Sequence, residues 1–162
     1  MSRGKRYSSA PIAVWLIAAC TFVFSLVPPA STAAASKDDS TDKPFAEHHL
    51  VLQLSDDAAK KQALVISVAY NLLNFYGPDK IAIEVVAFGP GIALLRADSP
   101  NRKLVDSLVA QGVRFDVCMN TVETIERENG QSVPLNPNVN RIQVGVAQIL
   151  ALTEKGYTLV RP

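Results

Sequence analysis

The chain has two cysteines, Cys20 and Cys118, and two histidines, the adjacent pair His48-His49. That inventory limits the chemistry on offer. Neighbouring residues of a strand point to opposite faces, so His48 and His49 are badly placed to chelate one ion. With so few Cys and His, no dense metal-ligand cluster is available, and neither a metal nor a cofactor is expected. Gly89-Pro90-Gly91 lacks the full dinucleotide fingerprint and the Lys-Ser/Thr of a phosphate loop, so it reads first as a tight turn. Asp56-Asp57 suits a helix cap better than a ligand contact. Arg96 and Arg114 default to solvated surface, their functional alternative being stabilisation of an anion. The remaining candidate is the thiol of Cys118, in "GVRFDVCMNTVETIERE". The chain has no C-x-x-C, so an internal dithiol motif is excluded, and no histidine adjoins Cys118 to support a Cys-His hydrolase.

The elements that must position this thiol begin after an unusual N-terminus. "MSRGKRYSS" is basic, residues 10–27 are free of charge, and "PPASTAAAS" follows. A charged, then apolar, then small-residue layout predicts a secretory signal over residues 1–35, cut after Ala35 or Ala33. The expected location is periplasmic or secreted. Two alternatives stay open: residues 10–27 retained as a membrane anchor with the domain outside the cytoplasm, and a lipoprotein box ending at Cys20. Residues 36–47 read as a flexible linker, and residues 48–162 as one domain. From Ser36 onward 13 basic side chains face 15 acidic ones, a net −2. No basic patch or stripe stands out, so no nucleic-acid partner is expected. Cleavage leaves a single cysteine in an exported chain, which suggests a reactive site or intermolecular pairing.

Alternation in "HHLVLQLS" predicts a strand. The following segment predicts a helix capped by Ser55 or Asp56, with Leu64, Val65, Val68, Leu72 and Phe75 inward and Gly77-Pro78 as its stop. "KIAIEVVAFG" is a nearly continuous β-branched run, the pattern of a strand covered on both faces. "GPGIALLRADSPN" predicts a turn and a short helix. "NRKLVDSLVAQG" predicts a helix with Leu104, Val105, Leu108 and Val109 inward. "VRFDVC" is a third strand, "NTVETIEREN" a helix ended by Gly130, and "SVPLNPNVN" an irregular loop. "IQVGVAQILALTEKG" is a strand end or cap and then a helix, and "YTLVRP" a last strand. Strand and helix in repeated order predict an α/β fold with a mainly parallel sheet. Ligands of such sheets sit outside the carboxyl ends of the strands. That rule selects Ser55-Asp56-Asp57, Gly89-Pro90-Gly91 and Cys118-Met119-Asn120.

Val113, Phe115 and Val117 alternate with Arg114, Asp116 and Cys118, which makes Cys118 the last residue of its strand. Asn120 and Glu123 resemble a capping box, placing the thiol about two residues before a helix. Unpaired N–H groups and the positive dipole end there lower a thiol pKa, whereas apolar burial raises it. Free cysteine is also among the most buried residue types and packs as a small hydrophobe. Spacing alone leaves both readings open.

The stretches "NLLNFYG", "IEVVAFGPGIALL", "GVRFDVCMNTVETIE" and "VGVAQILALTEKGYTLVRP", in that order, resemble the DsrE/DsrF-like family of sulfur-metabolism proteins across 48–162. The resemblance implies a three-layer α/β fold of about five strands flanked by helices, and a homo-oligomer, trimeric or hexameric. It implies that Cys118 matches a cysteine carrying sulfur as a persulfide, exchanged with a sulfur donor or acceptor protein. Asn120 and Thr121 would then offer N–H groups to an anionic sulfur, with Gly89 and Gly91 on the same ligand-binding rim. The expected function is an exported sulfur-handling protein, carrier or sulfurtransferase. The alternative is a non-enzymatic binding or assembly module with a structural Cys118, which a buried, apolar thiol would favour.

Overall fold

The computed structural model describes residues 43–162. The expected signal, residues 10–27 and the first part of the expected linker lie outside the described residues. Five strands form one sheet: β1 (His48–Leu54), β2 (Ile81–Ala87), β3 (Arg114–Cys118), β4 (Asn140–Ile142) and β5 (Thr158–Val160). Their order is β4-β3-β2-β1-β5, and every pairing is parallel. Parallel neighbours need crossovers, which α1 (Ala59–Tyr76), α2 (Arg102–Ala110), α3 (Met119–Asn129) and α4 (Gly145–Glu154) supply.

Strand alternation divides the core in two. Leu50, Leu52 and Leu54 of β1, Ile83 and Val85 of β2, and Phe115 and Val117 of β3 pack against α1, α2 and the 3-10 turn Gly89–Leu95. The opposite face is thinly covered: Val51 and Val86 meet Ile149 and Leu152 of α4. Glu84, Arg114, Asp116 and Cys118 share the alternation of this second face. β2 is buried at every position, as its β-branched run predicts, and this includes Glu84.

Three local expectations need correction. Helix α1 begins at Ala59, so Asp56 and Asp57 precede its first turn. Asp56 Oδ1 instead accepts from the Ala58 N–H at 2.7 Å, a side-chain turn that leads the chain out of β1. The inward stripe of α1 is Val65, Ile66, Ala69 and Leu73, while Leu64 is 45% exposed and Phe75 78% exposed. Helix α2 buries Val105 and Leu108 and leaves Leu104 exposed. Lys43, at the N-terminal side of the sheet, donates to the carbonyls of Pro78 and Ile81 at 2.7 and 3.1 Å. Among the described residues no helix is long and apolar enough to cross a membrane.

Candidate functional site at the carboxyl end of the third strand

Cys118 closes β3, pairing with Ile142 of β4, and α3 begins at the next residue. The junction is tighter than the spacing suggests. Cys118 is itself the N-cap residue, and no side-chain capping bond forms. The expected Asn120–Glu123 capping box is absent because Gln143, just beyond β4, occupies both partners. Its Nε2 donates to Asn120 Oδ1 at 2.7 Å and to Glu123 Oε1 at 3.3 Å, and its carbonyl accepts from the Asn120 N–H at 3.1 Å.

The thiol is 5% exposed, yet its surroundings are not apolar. The Gly145 N–H, at the first turn of α4, donates to Cys118 Sγ at 3.3 Å. The thiol proton points to the Gln143 carbonyl at 3.7 Å. Gly145 permits this approach because it has no side chain. A Cβ there would stand 3.2 Å from Cys118 Cβ and 3.3 Å from Phe88 Cβ. Burial pushes the Cys118 thiol up, but the N–H groups of Gly145, Thr121 and Asn120, with the Thr121 hydroxyl, outweigh it and hold it below the ordinary thiol value. The sulfur therefore sits between the N-terminal ends of two helices, α3 and α4, where a thiolate is favoured.

Thr121 ties in the second loop that the carboxyl-end rule selects. Its Oγ1 accepts from the Gly89 N–H at 3.0 Å, so Gly89, Thr121 and Cys118 form one contiguous group. Gly91 has a different surrounding. A Cβ at Gly91 would lie 2.3 Å from the Leu54 carbonyl oxygen, so its bare Cα is needed for backbone packing at the exit of β1. Asn120 is engaged by Gln143. Arg96 forms a bidentate pair with Asp98 at 2.9 and 3.0 Å. His48 and His49 lie against different aromatic rings, Tyr76 and Tyr157, at 4.0 and 5.1 Å.

Residue-type reasoning missed a buried polar group on the same sheet face. Glu84 is 1% exposed and Asp116 0%. Arg114 Nε lies 3.6 Å from Glu84 Oε2, and Arg114 Nη2 lies 3.9 Å from Asp116 Oδ1. Asn140 Nδ2 donates to Asp116 Oδ1 at 3.0 Å, and Gln148 Nε2 of α4 donates to Glu84 Oε1 at 2.6 Å. Arg114 Nε and Asp116 Oδ2 have no hydrogen-bond partner. One guanidinium thus faces two buried carboxyl groups. Burial, reinforced by the neighbouring Glu84, pushes Asp116 up to about 8, so it holds a proton at neutral pH. Arg114 is committed to this pair and is not a free cation for a sulfur anion. The available signal was a single acid, Glu84, inside a run predicted to be covered on both faces.

A five-stranded all-parallel sheet between helices, with a thiol at the carboxyl end of its third strand, defines a layered α/β protein with one candidate site at a strand exit. Two solved structures carry the comparison further. MTH1491 from Methanobacterium thermoautotrophicum, described as a protein of unknown function, is 32% identical, with a TM-score of 0.64 over 72% of this chain and 100% of its own. The E. coli protein YchN shares the fold at 16% identity, with a TM-score of 0.54 over 71% of this chain and 99% of its own. The chain belongs with MTH1491 to the DsrE/TusD-like fold family. No sequence-family description and no curated protein matches it.

Proposed function

We propose that the protein handles sulfur, with Cys118 as a persulfide carrier or sulfurtransferase nucleophile. The observation that carries this reading is the set of N–H and O–H donors around a thiol held below its ordinary pKa. The thiolate attacks the outer sulfur of a sulfane-sulfur donor R–S–SH. The S–S bond breaks, R–S⁻ leaves, and Cys118–S–SH forms. Attack by an acceptor thiolate on the outer sulfur returns Cys118 to the thiolate. The DsrE-like fold, associated with sulfur relay, supports the reading. The donor and acceptor are proposed to be partner proteins. The working form is proposed to be a homo-oligomer, because Val144, Val146 and Leu150 at and along α4 leave apolar surface exposed; trimer or hexamer is what the family resemblance implies. Export, with the signal cleaved or residues 10–27 retained as an anchor, completes the proposal.

Burial of Cys118 favours a second reading, an assembly or binding module in which the sulfur is a packing and hydrogen-bonding element. One mass-spectrometric experiment separates the two. Protein recovered from cells is incubated with a sulfane-sulfur donor and weighed intact and under native conditions, beside Cys118→Ser. A gain of one sulfur per chain, lost in Cys118→Ser, is the expected result. The intact mass also reads N-terminal cleavage, and the native mass counts subunits. No cysteine-dependent gain sinks the carrier reading, an uncut chain sinks signal cleavage, and a monomer sinks the oligomer.

A further inference from the structure

Helix α4 makes two polar contacts with the sheet, about one helical turn apart. At its start the Gly145 N–H donates to Cys118 Sγ at 3.3 Å, and three residues on Gln148 Nε2 donates to Glu84 Oε1 at 2.6 Å. The apolar contact beneath α4 is small, with Ile149 and Leu152 as its buried residues. A helix with so few apolar anchors can slide or tilt, and a directional polar tether restricts both. Glu84 is costly where it stands. A buried acid in a central strand forfeits hydration and must be compensated by a partner charge and hydrogen bonds. Pairing with Arg114 at 3.6 Å accounts for an acid at this position; the second carboxyl oxygen, Oε1, is the one that receives Gln148 and ties α4 to the sheet.

We propose that Glu84, acting through Gln148, is a positioning residue for Cys118: it holds α4 where the Gly145 N–H meets the sulfur. The inference rests on Cys118 being the working thiol. Sequence spacing adds geometric support, because Gly145 and Gln148 lie on one face of α4. The absence of a side chain at Gly145 brings its N–H against Cys118, so a small displacement of α4 opens that contact.

The test reads the Cys118 titration without any sulfur donor, from the pH dependence of iodoacetamide alkylation and of thiolate absorbance. Gln148→Ala removes the tether at a half-buried surface position, where loss of folding is not expected. Its thiol midpoint should rise by about one unit, a tenfold loss of thiolate at fixed pH below the midpoint. Glu84→Met removes the acceptor and an acidic group together. Deleting a nearby acid acts through space to lower a thiol midpoint, whereas loss of positioning raises it, so the sign separates the two causes. Glu84→Gln keeps an acceptor oxygen for Gln148 and should leave the midpoint at or below that of wild type. A rise in Gln148→Ala and Glu84→Met, with rescue in Glu84→Gln, supports the proposal. An unchanged or lowered midpoint in folded Gln148→Ala, which removes no charge, overturns it. Failure of sulfur uptake by wild type would instead overturn the carrier reading, which this titration does not use.

Discussion

Asp116→Asn gives the sharpest test of the buried carboxyl pair. Asp116 is raised from its ordinary 3.8 to about 8, chiefly by burial and then by Glu84. Its folded-state pKa lies above the unfolded value, so the folded chain binds the extra proton throughout that interval. The associated stability is complete below about pH 4 and is lost as pH rises through about 8. Each pH unit inside the window costs about 1.4 kcal/mol for one fully linked proton. From pH 5 to pH 8 the limit is about 4 kcal/mol, and sharing of the titration with Glu84 brings the expected loss to about 2–4 kcal/mol. That is a large part of a typical stability of about 5–15 kcal/mol. Asparagine keeps an Oδ1 for Asn140, which now donates to Asp116 Oδ1 at 3.0 Å, and has nothing to titrate. Urea unfolding of both proteins at pH 5, 6, 7 and 8 measures the difference. The variant should gain about 2–4 kcal/mol on wild type across the series. Titrations common to both proteins cancel, including the depressed acids Asp98 and Asp106, whose contributions change near and below the ordinary carboxylate range. A difference flat to within about 0.5 kcal/mol would refute the reasoning, since Asp116 would then titrate alike folded and unfolded.

Gly91→Ala should destabilise by about 3 kcal/mol or more, because the new Cβ has only backbone at Leu54 to displace, and thermal unfolding measures it. A shift of less than about 1 kcal/mol would show that the β1 exit yields easily. Thr121→Val removes the hydroxyl that reaches Cys118 and the acceptor for the Gly89 N–H. The thiol midpoint should rise by about half a unit to one unit in an alkylation–pH profile, with a stability loss of about 1–2 kcal/mol for the stranded N–H. A midpoint equal to that of wild type would remove Thr121 from the set of donors that favours the thiolate.

The alternation Val113/Phe115/Val117 against Arg114/Asp116/Cys118 made the strand, its two faces and the end position of the thiol legible, because period two has a single structural reading. α1 was harder. Its segment is apolar on more than one side, so two stripes one residue apart both fit a helical period, and tertiary packing selected Val65, Ile66, Ala69 and Leu73. The cap of α3 failed for a related reason. Asn120 and Glu123 have the types and spacing of a capping box, but Gln143, far along the chain, competes for both. Long-range partners also explain why Arg114 read as solvated surface. Its neighbour across the sheet is Glu84, and their register, Glu84 opposite Arg114, exists only once β2 and β3 pair. Nothing in "IQVGVAQILALTEKG" sets Gly145 apart. Its role as the N–H donor to Cys118 requires β4 to bring α4 beside β3. What a single strand encodes was therefore visible, while the electrostatics of Cys118 is made by groups from α3 and α4. A cysteine at a strand exit becomes a candidate nucleophile only when those elements converge. The positioning contact Gln148–Glu84 is the one whose removal changes the sulfur's surroundings without touching the sulfur.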